Sequence, residues 1–137
     1  MIRSLVVLLL VAHACSSPET VVDATPAMEC FLYRPLVVRM AWPPGDCRGA
    51  DELTLQITPL ADGWRIGASL PTADVSGYVD VESCAAGLIL TTRTREIYAF
   101  DMRQQMGPLL PEFDGAGDFY DDFGDCRADF LVMGVIQ

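Results

Sequence analysis

The sequence contains no lysine and a single histidine, His13, which stands in an apolar segment at the start of the chain. Histidine is the commonest general base and metal ligand of proteins, and lysine is the residue that forms Schiff bases. If residues 1–14 are removed, as argued below, neither residue type remains. A histidine-dependent catalytic triad is then excluded, and we predict that the protein is not an enzyme.

Positive charge is also scarce. The nine basic residues are all arginine and face nineteen acidic residues, which gives a formal net charge of −10 at pH 7. Without Arg3 the count is eight against nineteen, a charge of −11. Such a surface repels phosphate backbones and anionic lipid headgroups. The composition therefore argues against a nucleic-acid partner and against electrostatic binding to membranes.

The one long apolar run is at the amino terminus. Arg3 is followed by apolar residues at positions 5 to 11 and then by small residues, which is the order of an export signal. A membrane-spanning helix needs about 20 apolar residues, and this run breaks at His13. We predict that residues 1–14 are a signal peptide that is removed.

This segment ends at a cysteine. The motif Val11-Ala12-His13-Ala14-Cys15 resembles the lipobox of bacterial lipoprotein precursors, in which small residues precede a cysteine that receives lipid and becomes the first residue. That family usually has Leu where this chain has Ala12, and a small residue where it has His13. The resemblance implies lipidation of Cys15 and anchoring to a bacterial membrane, the outer membrane being favoured. The same residues also fit an ordinary A-x-A cleavage site, which would give a secreted protein.

The cysteine count bears on that choice. If Cys15 carries lipid, four cysteines remain, and four can pair completely in an oxidising compartment. They are Cys30, Cys47, Cys84 and Cys126. Four cysteines allow three connectivities, and the sequence does not select one. We favour Cys30–Cys47, which closes a loop around a Pro-Pro-Gly-Asp turn, together with Cys84–Cys126.

The chain after Cys15 divides into two parts. Residues 15–28 are rich in Ser, Thr and Pro, which predicts a flexible tether, although Val21 and Val22 would also suit a short edge strand. Residues 29–137 are enough for one domain with one core and too few for two.

Within that domain the hydrophobic periodicity is two. Apolar residues alternate in Leu53–Ile57 and again in Trp64–Leu70, with turn-forming residues between them, which predicts a hairpin. Further strands are predicted at 31–40, 77–82, 88–93, 96–100 and 129–136, with at most a helical turn at 103–106. The nearly continuous apolar run at 131–136 predicts a central strand covered on both faces. The fold class is therefore mainly β, a small antiparallel β-sandwich or barrel of about seven strands, stapled by disulfides.

An acidic segment at 114–125 is the remaining feature of chemical interest. Oxygen donors at this density suit Ca²⁺, but the spacing departs from the EF-hand pattern, with Phe119 where that loop has glycine. We interpret the segment as a solvated acidic loop, with a calcium site as the alternative. The candidate ligands are Asp114, Asp118, Asp121, Asp122 and Asp125.

No motif in the sequence identifies an activity. We predict a non-catalytic lipoprotein domain of the cell envelope, a structural or protein-interaction module whose partners are the membrane, through its lipid anchor, and an envelope protein. Two alternatives stay open. One is a small-ligand or calcium-binding module that uses the segment 114–125, and the other is an exported inhibitor of a hydrolase.

Overall fold

The computed structural model describes residues 29–107, 109–121 and 125–137. Within them the chain forms eight β-strands and has no helix that is long and apolar enough to cross a membrane. The strands are β1 (Leu36–Ala41), β2 (Glu52–Leu60), β3 (Gly63–Ala68), β4 (Thr72–Asp80), β5 (Ala85–Thr92), β6 (Glu96–Met106), β7 (Pro111–Asp121) and β8 (Arg127–Ile136).

All eight strands belong to one antiparallel sheet in the order β3-β2-β1-β8-β7-β6-β5-β4. Strands that follow each other along the chain pair with each other, except β3 and β4, and the first strand pairs with the last from Leu36↔Ile136 to Ala41↔Leu131. The sheet therefore curls into a barrel with a single seam, between β3 and β4. This architecture confirms the predicted antiparallel β fold and is of the barrel type.

The predicted hairpin at 53–70 is confirmed as β2 and β3, which pair from Leu55↔Ala68 to Leu60↔Gly63. The strand predicted at 31–40 begins only at Leu36, because residues 31–34 form a turn in which the Arg34 amide donates to the carbonyl of Phe31. The helical turn considered at 103–106 is wrong. Those residues extend β6, and the pairing with β7 continues to Met106↔Pro111.

The interpretation of 114–125 as a loop is also wrong, because most of it is β7. The inward positions of this strand are Phe113, Gly115, Gly117 and Phe119. Large apolar residues therefore occupy only two of the four inward positions, and glycine occupies the other two. A Cβ atom on Gly117 would come within 2.6 Å of the Phe130 ring. Large neighbours from β6 and β8 thus fill the space that side chains of β7 leave empty.

The core fills the inside of the barrel. Its largest fully buried side chains are Tyr98, Phe113 and Phe119, surrounded by aliphatic residues from β1, β2 and β5. Trp42 packs against Phe130 and Phe119, with ring centroids 4.8 and 5.2 Å apart. Burial of this apolar surface is the main stabilising contribution to such a fold.

All four cysteines of the domain form disulfides, but the favoured pairing is wrong. The bridges are Cys30–Cys84 and Cys47–Cys126, each with a Cα–Cα distance of 5.4 Å. The strand directions explain this pairing, because Cys30 and Cys47 lie at opposite ends of the barrel. Each therefore meets the cysteine of a connection at its own end.

The two ends of the barrel are named here by their connections. The N-terminal end holds residues 29–35, the turns after β2, β4 and β6, and Gln137. The far end holds the connections between β1 and β2, β3 and β4, β5 and β6, and β7 and β8. One disulfide lies at each end.

Candidate functional site

A groove of about 880 Å³ crosses the outer face of the barrel from β4 to the end of β1. The strand register shows how it is built. Six residues on six strands are direct cross-strand partners of one another, and they form the groove row: Tyr78, Gly87, Asp101, Ala116, Leu131 and Ala41. Beside it runs a second row with the same kind of pairing: Ile89, Ala99, Asp118 and Asp129.

Small residues form the floor of the groove and large apolar residues form its sides. Gly87, Ala99 and Ala116 hold the middle of the two rows. The Tyr78 ring lies over Gly87, where a Cβ atom would come within 2.3 Å of the ring. Tyr78 and Leu131, at either side, are 59% and 66% exposed. The concavity thus follows from where the chain places its small residues.

Three aspartates line the same groove. Asp101 belongs to the groove row, and Asp118 and Asp129 are direct partners across β7 and β8. The pKa of Asp129 is raised from its ordinary value of 3.8, first by its hydrogen bond with Asp118 and then by the negative charge of that carboxylate. The positive charge of Arg127 opposes this rise. The groove therefore places two carboxyl groups in contact, where a cation would be attracted.

A charged row borders the groove on the side of the N-terminal end. Charges of opposite sign alternate along it across the strands, and Arg39 Nε lies 3.3 Å from Glu52 Oε2. The charge of Arg103 helps to lower the pKa of Asp80, after the larger effect of the Ser83 hydroxyl, which donates a hydrogen bond to that carboxylate. The charged members of the row are Asp80, Arg103, Asp114, Arg39 and Glu52. Ala85 lies between the first two, and Met133 lies between Asp114 and Arg39.

The candidate calcium ligands are spread over this surface. Asp114 is in the charged row, Asp118 is in the groove, and Asp121 ends β7, where its amide donates to the carbonyl of Cys126. Asp125 is exposed in the connection to β8, and Asp122 lies outside the described residues. Within the described part of the chain, no group of three or more acidic, histidine or cysteine side chains is arranged to hold a metal ion. Calcium binding stays an untested alternative.

Sequence reasoning missed Tyr78, Asp101, Asp129 and Leu131 as site residues. It predicted that the run at 131–136 would be covered on both faces, which is wrong because Leu131 and Met133 point outward and are exposed. The outward apolar residues of this run were the signal in the sequence that could have indicated the groove. A large apolar residue at an outward position of a strand, opposite alanine in both neighbouring strands as Leu131 is, indicates an uncovered apolar surface.

The signal peptide, Cys15 and the tether fall in residues 1–28, outside the described residues. The chain matches no protein-family model, no curated protein and no solved structure.

Proposed function

We propose that the protein is a non-catalytic lipoprotein domain of the bacterial cell envelope, and that it binds a cationic segment of a protein partner in the outer groove. One observation carries the proposal. The groove joins exposed apolar walls to a pair of aspartates in contact with each other.

The apolar walls favour a macromolecular partner. Tyr78, Ile89 and Leu131 are exposed and lie in one groove. Aromatic and aliphatic side chains that are clustered and accessible are typical anchors of protein interfaces. The groove is also open along its length, which suits an extended or helical segment of a partner.

The carboxylates favour a partner with positive charge. Like charges directly opposite each other in an antiparallel ladder are destabilising, and Asp118 and Asp129 are such a pair. A guanidinium group between them would remove the repulsion, since arginine can donate two parallel hydrogen bonds to carboxylates. The net charge of the domain would attract the same partner over a longer range.

Anchoring through Cys15 is supported by the disulfides. The two bridges use all four cysteines that follow Cys15 in the sequence, so Cys15 has no cysteine left to pair with in the chain. Disulfides also fit the oxidising compartments that lie beyond the cytoplasm. The intact mass of the protein from membranes tests this part: acyl chains on a first residue Cys15 are expected, and an unmodified mass would contradict anchoring.

The binding proposal is tested with two variants that place the same residue on the outer face. Leu131→Arg fills the groove and brings positive charge next to Asp101 and Asp118, whereas Gln105→Arg changes an exposed position of β6 outside the groove. Each variant is produced in the native cell, crosslinked in the envelope and analysed by quantitative mass spectrometry. Thermal melting confirms that both are folded.

We expect a crosslinked protein that is recovered with the unmodified chain and with Gln105→Arg, and that is lost by about tenfold or more with Leu131→Arg. Recovery that falls equally in both variants, or that does not depend on Leu131, would contradict binding in the groove. High salt should weaken the same interaction, because exposed charges are screened within about 10 Å at 0.1 M.

A further inference from the structure

The N-terminal end of the barrel carries a second apolar surface, separate from the groove. The ends of β2 and β6 and the turns after β4 and β6 show exposed aliphatic side chains there. They are Leu60, Val81, Met106, Leu109 and Leu110. We name these five residues the end surface.

The connection between β6 and β7 contributes most of this surface. The last pair of that ladder is Met106↔Pro111, so Leu109 and Leu110 lie in the tip of a hairpin. Leu109 is 93% exposed, Met106 71% and Leu110 62%. Hairpin tips in water are commonly formed by Gly, Asn, Asp and Ser. Three long apolar side chains at such a tip indicate a surface that contacts a partner or a membrane when the protein functions.

The far end has a different surface. Its connections show prolines and charged residues to the solvent, among them Asp46, Arg48, Asp51 and Arg93. In these connections, within the described residues, no large aliphatic or aromatic side chain is exposed, and at the ends of the strands that lead into them only the Tyr120 ring of β7 is, at 38%. The apolar character therefore belongs to one end and does not follow from the barrel fold itself.

The chain enters the domain at the apolar end. The Gln104 side chain accepts a hydrogen bond from the Phe31 amide at 2.8 Å and donates one to the carbonyl of Glu29 at 2.7 Å. The Cys30–Cys84 disulfide fixes the same segment. Gln104 precedes Met106 by two residues on β6, which is about 7 Å along the strand. The first described residues are thus attached beside the hairpin tip.

The length of chain before this point limits where an anchor lies. Residues 15–28 connect Cys15 to Glu29 and span at most about 50 Å when fully extended. A chain anchored at Cys15 therefore keeps the N-terminal end within about 50 Å of the bilayer, close enough for the end surface to reach it.

We propose that the end surface lies against the bilayer in which Cys15 is anchored, with Leu109, Leu110 and Met106 in the headgroup region. This inference rests on the anchored state proposed above. The occupant is a zwitterionic phospholipid surface, because among the exposed residues in the connecting segments of this end Glu29, Asp62 and Glu82 outnumber Arg34 and would repel anionic headgroups. Burial of apolar side chains drives the contact, as for other interfacial anchors. The groove, on the side of the barrel, stays open to a partner.

Two tryptophan variants of the acylated chain test this orientation. Leu109→Trp places an indole at the hairpin tip, and Arg93→Trp places one in an exposed connection at the far end. Each is reconstituted in phosphatidylcholine vesicles, with and without lipids brominated near the headgroup. Trp42 and Trp64 give the same background in both variants and in the unmodified chain.

We expect blue-shifted emission and quenching by brominated lipid for Leu109→Trp, at a depth of about 5–10 Å, and neither for Arg93→Trp. The signal should be unchanged at high salt and should weaken in vesicles rich in phosphatidylglycerol. Quenching of neither variant, or of both equally, would overturn the proposal. A dimer in sedimentation together with an unquenched Leu109→Trp would assign the end surface to a second copy of the chain and would also overturn it.

The experiment separates this proposal from the anchoring proposal. If the natural chain proves to be unacylated, the thiol of Cys15 can be coupled to a maleimide lipid in the same vesicles. The quenching contrast then tests the orientation of the domain alone, and its outcome confirms or overturns the contact between the end surface and lipid whatever the natural state of Cys15.

Discussion

The two ends of the barrel are closed in similar ways but present opposite surfaces. Each end has one disulfide and one side chain that hydrogen-bonds backbone groups of a connecting segment: Gln104 at the N-terminal end and Tyr98 at the far end, where its hydroxyl accepts from the Ala50 amide at 2.9 Å. Among the described residues at the two ends, exposed aliphatic side chains are found only at the N-terminal end. Because closure is achieved equally well with polar connections, the apolar ones are not required by the fold and are better explained by what they contact.

Removal of either disulfide is expected to have the largest effect on stability. The bridges close loops of 54 and 79 residues, and the loop-entropy model gives about 4 kcal/mol of unfolding free energy for each. The paired variants Cys30→Ala with Cys84→Ala, and Cys47→Ala with Cys126→Ala, should therefore lose similar amounts in urea denaturation.

A local measurement distinguishes the two ends in the same variants. The Phe31 amide, which donates a hydrogen bond to Gln104, reports on the N-terminal end. Its hydrogen exchange should accelerate by more than the global loss of stability explains when Cys30–Cys84 is removed, but not when Cys47–Cys126 is removed. The ends are not held independently if removal of one disulfide lowers the unfolding free energy by less than about 1 kcal/mol. The same conclusion follows if both removals accelerate exchange of the Phe31 amide equally.

Loss of the hydrogen-bonding side chains should have an intermediate effect. Gln104→Leu leaves the Phe31 amide and the Glu29 carbonyl without their partner and should cost about 2–3 kcal/mol of unfolding free energy. Tyr98→Phe leaves only the Ala50 amide without a partner, since Trp42 Nε1 still donates to the Ala50 carbonyl, and should cost about 1–2 kcal/mol.

Urea denaturation measures both variants, and Gln105→Leu at the neighbouring exposed position serves as the control, with no change expected. Equal losses for Gln104→Leu and Tyr98→Phe would mean that the N-terminal segment is held mainly by its disulfide, and that the glutamine adds little to the attachment.

The smallest expected effect concerns the groove, which lies between the two ends. The pKa of Asp129 is raised in the folded protein, so the folded state binds a proton more readily than the unfolded chain. Acidification should therefore stabilise the fold relative to an Asp129→Asn variant as the pH falls from that raised pKa towards 3.8. At neutral pH the variant should melt about 1–2 °C higher than the unmodified protein.

Thermal melting between pH 7 and pH 4 measures this difference, which should shrink as the pH falls. Asp114→Asn is the matched control. Asp114 lies on β7 and is exposed, as Asp129 is on β8, but it lies opposite Arg103, so this variant should not be stabilised. A variant Asp129→Asn that is less stable than the unmodified protein at neutral pH would show that the aspartate pair is not a source of repulsion.

The strands that could be predicted from sequence are those with an uninterrupted alternation, such as Leu53–Ile57 and Trp64–Ala68. β7 could not, because two of its inward positions are glycine. Gly117 is explained by the Phe100 and Phe130 side chains of the neighbouring strands, and Gly115 by the close approach of the β6 backbone at Asp101. The groove could not be predicted from any single strand either. Its floor is made of small residues that are far apart in sequence and meet only through the register of five ladders.

The disulfide pairing could not be predicted from the sequence, because it depends on which connections lie at the same end of the barrel. Loop length alone favours Cys30–Cys47, whereas the alternating strand directions place Cys47 beside Cys126. Of the candidate calcium ligands that the structure describes, only Asp118 lies in the groove, and its partner Asp129 lies eleven residues further along the chain, on β8.

The disulfides interleave along the chain, and this arrangement affects how the protein matures. Cys47 lies between Cys30 and its native partner Cys84. If Cys15 is acylated and the four cysteines of the domain are oxidised in the order in which they leave a translocation channel, Cys30 would first be joined to Cys47. That bridge must then be exchanged for the native one by attack of another thiolate. Correct maturation therefore depends on oxidation that waits until Cys126 has arrived, or on a disulfide isomerase in the compartment that receives the chain.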